Sequence, residues 1–352
     1  MTHSHVSLAS LTTMGVGGAA GTYIEADCEE ALIQALREAD GQGVPVLLLG
    51  GGSNLVVADS GFPGLVLAVR HRGVQTSGSG SVIVEAAAGE PWDELVAWAA
   101  ARGLAGLECL AGIPGMVGAT PIQNVGAYGQ EIADTLVDLR VWDRSESRMV
   151  TLPAAACHFG YRSSAFKVTL RNRYAILSVR FALRSGLPDM PRQGELARQL
   201  ADLGEPPSVT GVRDLVIALR KAKGMFYDPT DPDSCSAGSF FVNPVVSVEH
   251  AEHIRRGVSL DMPRFEVDAR RVKLAAAWLI EQAGFPRGFR MGRAGLSTRH
   301  ALAVTNRGGA SAEEIVGLAR HVRAGVLQRF GVALAPEPML VGLALEGEAS
   351  RP

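Results

Sequence analysis

Ser239 stands in SAGSFFVNP (236–244), after a glycine and before two phenylalanines. A hydroxyl so placed can close a turn or carry a proton in a reaction. Arg162, in FGYRSSAFK, offers a planar fork of N–H donors that suits a carboxylate, although alone it reads as a surface ion pair. Glu337, in APEP, reads as an acid at the end of a strand. Lys223, in LRKAKGMFYDP, follows Arg220 by three residues. Such a local cationic pair suits a diphosphate, while a solvated basic face is the commoner meaning of the run. None of these residues fixes a chemistry by itself.

Two glycine-rich stretches point to a bound molecule. LLLGGGSNLVV (47–57) puts Gly50, Gly51, Gly52, Ser53 and Asn54 directly after an apolar strand. Glycines let backbone N–H groups converge on phosphate oxygens, and a tight turn is the competing reading. A strand follows the loop, not a helix, so neither a P-loop nor a dinucleotide-binding turn fits. GVGGAA (15–20) matches G-x-G-x-x-A on paper but lacks the strand before it and the helix after it. The long stretch GLECLAGIPGMVGATPIQNVGAYGQE (106–131) carries Gly115, Thr120, Gly126 and Tyr128 with almost no charge. An irregular loop of that length inside a folded domain is more often functional than not.

The elements that must hold these residues read as α+β. GTYIEA, VPVLLL and NLVVADSG are strands, and CEEALIQALREADGQG is a helix ended by glycine. Between about Gly73 and Arg184 short strands dominate, interrupted by a helix from Pro91; alternation in LVDLRVWDR predicts a half-buried antiparallel sheet. Further on come a helix over VKLAAAWLIEQAG, a strand ALAVTN and a last strand within VALAPEPMLVGLAL. Ser311 and Glu314 form a capping box for a helix with Ile315, Leu318, Ala319, Val322 and Val326 on its apolar face.

The 352 residues are 47% hydrophobic and 20% charged, which fits a folded protein of two or three domains. With 34 basic against 36 acidic residues, no nucleic-acid partner is indicated. No basic region leads into an apolar stretch at the start, and no apolar run is long enough to span a membrane. Four scattered cysteines without a CxxC pair suggest reduced thiols in a cytoplasm, and Cys157–His158 lacks partners at metal-ligand spacing.

Taken in order, LGGGSNLVV, GLECLAGIPGMVGATPIQNVGAYG, FGYRSSAFK, SAGSFFVNP and APEP resemble the UDP-N-acetylenolpyruvoylglucosamine reductase (MurB) family over roughly residues 11–343. The resemblance implies a vanillyl-alcohol-oxidase-type fold. Residues 1–70 and 71–220 would form two FAD-binding parts and 221–330 a substrate-binding domain, with 331–352 returning to the FAD module. It implies non-covalent FAD, NADPH as hydride donor and a UDP-sugar substrate; a monomer is the expectation, although the sequence itself does not set the oligomeric state. Ser239 would be the proton donor, Arg162 the contact to the substrate carboxylate and Glu337 the catalytic glutamate. Gly50, Gly51, Gly52, Ser53, Asn54, Gly115, Thr120 and Gly126 would meet the cofactor, and Tyr128, Lys223 and Asn243 the substrate. Gln193, in RQGEL, replaces the family's capping tyrosine, and Pro338-Met339 replaces Val-Arg after the glutamate. Another FAD oxidoreductase of the same fold is the alternative, as is a non-catalytic nucleotide-binding protein that kept the scaffold. The second predicts loss of Ser239, Arg162 and Glu337, all of which are present.

Overall fold

The opening β–α–β–β pattern forms as the sequence predicts. Strand Ala20–Ala26 leads into helix Glu29–Gly41, then strands Val46–Leu49 and Leu55–Val57. Leu32, Ala35, Leu36 and Ala39 recur at helical spacing and are the buried side of that helix, with Glu29 and Glu30 in its first turn, where the helix dipole favours them. This computed structural model describes residues 2–3, 5–78, 82–191, 194–203, 207–258 and 261–345.

The chain forms two compact units. The first comprises Met1–Val6, Ala20–Gly52 and Pro63–Ala222, and the second Ser7–Ala19, Ser53–Phe62 and Lys223–Pro352. In the first unit, strands Val46–Leu49 and Phe62–Val69 pair in parallel, Leu49 opposite Ala68. A larger antiparallel sheet runs in the order 148–153, 136–143, 174–185, 82–87, 74–77. Strand Leu136–Asp143 is more buried than its alternation suggests, because helix Glu29–Gly41 covers its second face: Glu29 pairs with Arg140, and Arg37 lies over the Trp142 ring at 4.6 Å. Trp92 and Phe181, both fully buried, meet edge to face at 6.0 Å in the core beneath.

The second unit holds two three-stranded antiparallel sheets, 245–247/271–274/264–268 and 290–291/294–296/304–306. Its core gathers Phe240, Phe241, Leu274, Leu279, Val304 and the apolar face of helix Ala312–Phe330. The predicted Ser311/Glu314 box caps that helix. The helix expected over VKLAAAWLIEQAG starts later, at Ala276. Val272 and Leu274 turn inward two residues apart on strand Arg271–Leu274, and the Leu274 N–H is taken by the Pro244 carbonyl at 2.9 Å. Of the last predicted strand only Met339–Val341 forms, parallel to Leu55–Val57.

GVGGAA is not a ligand loop of the dinucleotide type. A Cβ on Gly18 would lie 2.2 Å from the Asp59 carbonyl oxygen, so the glycine serves a backbone-on-backbone crossing inside the second unit.

Candidate active site

Ser239 and Glu337 are brought together within the second unit. The Phe240 N–H donates to the Leu302 carbonyl at 2.8 Å, and the Glu337 N–H donates to the Phe240 carbonyl at 2.9 Å. Val242 N–H and the Ala335 carbonyl add a bond at 3.0 Å, so SAGSFF and APEP run side by side. Phe240 and Phe241 are fully buried with rings 5.2 Å apart, anchoring the half-buried Ser239 on an immobile base. Gly238 has φ +74, and a Cβ there would meet nothing nearer than 4.0 Å. Glycine is therefore required here for the left-handed turn.

The loop before Ser239 is pinned by Asp233. Its carboxylate accepts from the Thr298 N–H at 2.8 Å and pairs with the Arg307 guanidinium. Burial pushes this carboxyl up, but the Thr298 and Arg307 hydrogen bonds outweigh it and hold it at about 2.

In the first unit, Gly51 packs against the second glycine stretch, where a Cβ would come within 2.7 Å of the Gly115 Cα. Gly52 has φ +63. The N–H groups of Gly51 and Gly52 donate to no acceptor among the described residues, and Gly52 is buried. Buried amides without acceptors are uncommon, and a phosphate oxygen is the acceptor such a turn suits. This cradle fits the diphosphate of FAD. Gly50 is less confined, since a Cβ there would make only ordinary contacts at 3.5 Å or more. Thr120 spends its buried hydroxyl on the Val117 carbonyl at 2.8 Å, and its own carbonyl accepts the Val125 N–H at 3.0 Å, so both groups are engaged within the loop. Ser53 and Asn54 belong to the second unit, where the Asn54 carbonyl accepts from Met339 N–H at 2.9 Å.

Arg162 lies on a strained loop of the first unit. Arg162, Tyr128, Asn124 and His158 all have φ between +45 and +52, a region non-glycine residues rarely occupy. Such conformations cluster where a site needs them. The Arg162 guanidinium donates to the Gly126 carbonyl, and a Cβ on Gly126 would lie 2.9 Å from Arg162 Nη1. Gly126 thus makes room for the arginine within this unit. Asn124, fully buried, ties the two loops: its NH2 group donates to Glu131 at 2.7 Å and to the Gly160 carbonyl at 3.3 Å. Nothing in the sequence separated Asn124 from its polar neighbours.

Lys223 has a neighbour that residue patterns did not reveal. His300 accepts the Leu302 N–H on Nδ1 at 3.2 Å. Burial first, then the charges of Lys223 and Arg287, push its ring down to about 4. His300 is therefore neutral near Lys223, with its proton on Nε2. Arg220, buried, is shifted down by desolvation against the opposing influence of Tyr128 and Asp93. Asn243 uses its carboxamide oxygen to accept the Ala276 N–H at 2.9 Å at the start of helix Ala276–Gln282. Gln193 lies outside the described residues.

Known proteins match this chain over nearly all of its length. Residues 20–152 match the family model of the FAD binding domain, and residues 229–341 that of the UDP-N-acetylenolpyruvoylglucosamine reductase C-terminal domain. The UDP-N-acetylenolpyruvoylglucosamine reductase of Thermobifida fusca (strain YX) is 47% identical over 351 residues, 97% of this chain and 98% of that protein. The protein of the same name in Nocardia farcinica is 48% identical over 349 residues, covering 97% and 90%. A crystal structure of the Thermus caldophilus reductase superposes with a TM-score of 0.65 at 25% identity, covering 97% of this chain and all of that one. Fold and matched domains define an FAD-dependent oxidoreductase. The chain belongs to the UDP-N-acetylenolpyruvoylglucosamine reductase family, whose place is in peptidoglycan precursor synthesis.

Proposed function

We propose that this chain uses NADPH to reduce UDP-N-acetylglucosamine enolpyruvate to UDP-N-acetylmuramate, with Ser239 as the proton donor. The observation that best supports this is the 2.9 Å bond from Glu337 N–H to the Phe240 carbonyl, which sets the acid beside the serine's own loop. Bound FAD would supply hydride-transfer chemistry between NADPH and C3 of the enolpyruvyl group. Negative charge then develops at C2 and spreads into the adjoining carboxylate. Arg162 binds that carboxylate through its fork of donors and favours the charged state. Ser239 gives its proton to C2; a carbanion is basic enough to take it from a neutral hydroxyl held within reach. Glu337 completes the set as the acid next to that transfer. Gly50, Gly51, Gly52, Ser53, Asn54, Gly115, Thr120 and Gly126 meet the non-covalent cofactor. Tyr128 and Lys223 bind the UDP-sugar, together with the NH2 group of Asn243, whose oxygen is engaged elsewhere. Residues 1–70 and 71–220 serve the cofactor, 221–330 the substrate, and 331–352 bring back Glu337.

Anaerobic absorbance separates the two half-reactions. NADPH should bleach the yellow flavin band, and the enolpyruvyl substrate should restore it. In Ser239→Ala the bleaching should persist while recovery slows by about 10²–10⁴-fold. Recovery at the wild-type rate would remove Ser239 from the chemistry, and bleaching without recovery in the wild type would mean a different substrate.

A further inference from the structure

Arg70 stands just past the end of strand Phe62–Val69 and takes part in none of the roles above. Its Nη1 donates to the Gly50 carbonyl at 3.0 Å and to the Val69 carbonyl at 3.0 Å. Behind it lies the buried Tyr23 hydroxyl, which donates to Glu25 Oε1 at 2.7 Å. Tyr23 is pushed up to about 12, by burial first and then by Glu25, while the adjacent Arg70 acts in the opposite sense. Arg70 thus carries its charge near the Tyr23 hydroxyl and grips the glycine loop through the Gly50 carbonyl.

The carbonyl of Gly50 and the N–H of Gly51 belong to one planar peptide. No peptide in the described residues is cis, so the two groups point in opposite directions. Fixing the carbonyl on Arg70 therefore fixes the N–H of Gly51 facing away from it. That N–H is one of the two amides with no acceptor among the described residues. We propose that Arg70 is a positioning residue for the cofactor: by holding the Gly50 carbonyl, it aims the Gly51 N–H at the diphosphate of FAD. This rests on reading the glycine loop as the diphosphate cradle.

The test compares two ligands on flavin-free protein: FAD, which carries the diphosphate, and riboflavin, which has no phosphate. Quenching of flavin fluorescence gives both dissociation constants. Wild-type protein should favour FAD strongly. Arg70→Met should weaken FAD by roughly tenfold or more, the scale of a lost hydrogen bond from a charged donor. Riboflavin affinity should stay unchanged. Arg70→Lys, which keeps the charge but reaches one carbonyl at most, should fall between the two, and it carries the test if Arg70→Met does not fold. Tyr23→Phe should shift FAD alone, by a smaller factor. If Arg70→Met keeps the full preference for FAD, or loses both ligands in equal proportion, the positioning role is wrong. A wild-type protein with no preference for FAD over riboflavin would instead overturn the reading of the loop, and the proposal with it.

Discussion

His300 ties a buried proton to the stability of the second unit. Its ordinary value is 6.5 and its folded value about 4, lowered by burial and then by Lys223 and Arg287. Between those values the unfolded chain binds a proton that the folded chain refuses. Stability therefore rises with pH through this window and is lost as the solution is acidified from 6.5 towards 4, by roughly 3 kcal/mol at most. Asp233 acts in the same direction at lower pH. Held at about 2 against an ordinary 3.8, it stabilises above 3.8 and loses that contribution as pH falls through 2. Urea midpoints measured from pH 4 to 7 should fall with acid in the wild type and flatten in His300→Asn. An equal slope in both would acquit His300. The sequence carried a proposal for Ser239, Arg162 and Glu337 because each sits in a motif with a distinct residue pattern. His300 had none, since what matters in it is the company of Lys223, 77 positions away in the chain numbering.

Helix Ala312–Phe330 shows how much of an element is local. Ser311 Oγ accepts the Glu314 N–H at 3.1 Å, and the Glu314 carboxylate accepts the Ser311 N–H at 2.9 Å. That box was legible from four consecutive residues. The next two amides go to Asp59, Ala312 N–H at 2.8 Å and Glu313 N–H at 3.2 Å, and nothing in the local sequence announces it. Asp59 satisfies two orphan donors and adds negative charge at the helix start, where Ser311 satisfies one. Asp59→Ala should therefore cost about 2 kcal/mol and Ser311→Ala about 1. Hydrogen exchange of the first turn reads both, and a larger loss in Ser311→Ala would reverse this ranking. Local pattern failed in a different way over 271–282. Apolar residues there suited a helix, but pairing of Arg271–Leu274 with Val245–Ser247 and Arg264–Asp268 claimed the first half for a sheet. Strand pairing is a tertiary decision that a single window of sequence does not contain.

At the scale of the molecule, the second unit is assembled from three separated stretches. Met14, Val16 and Val56, all buried, come from Ser7–Ala19 and Ser53–Phe62 and sit in one core with residues beyond 223. A fragment of residues 223–352 should therefore lack part of its core and unfold without a cooperative transition, as read by circular dichroism against urea. A sharp transition at the stability of the full chain would contradict this. The sequence indicated a separate region after 221 and did not reveal these insertions, because an apolar triplet such as LVV looks the same whichever core receives it. Its partner is the strand Met339–Val341, about 280 residues further along the chain. On a ribosome adding about 5–20 residues per second, Leu55–Val57 would emerge some quarter of a minute to a minute before the strand that covers it exists. During that interval it is an apolar edge open to any other strand. The newborn chain is thus most exposed to aggregation early in synthesis, and the last strand to be made closes the gap left by one of the first.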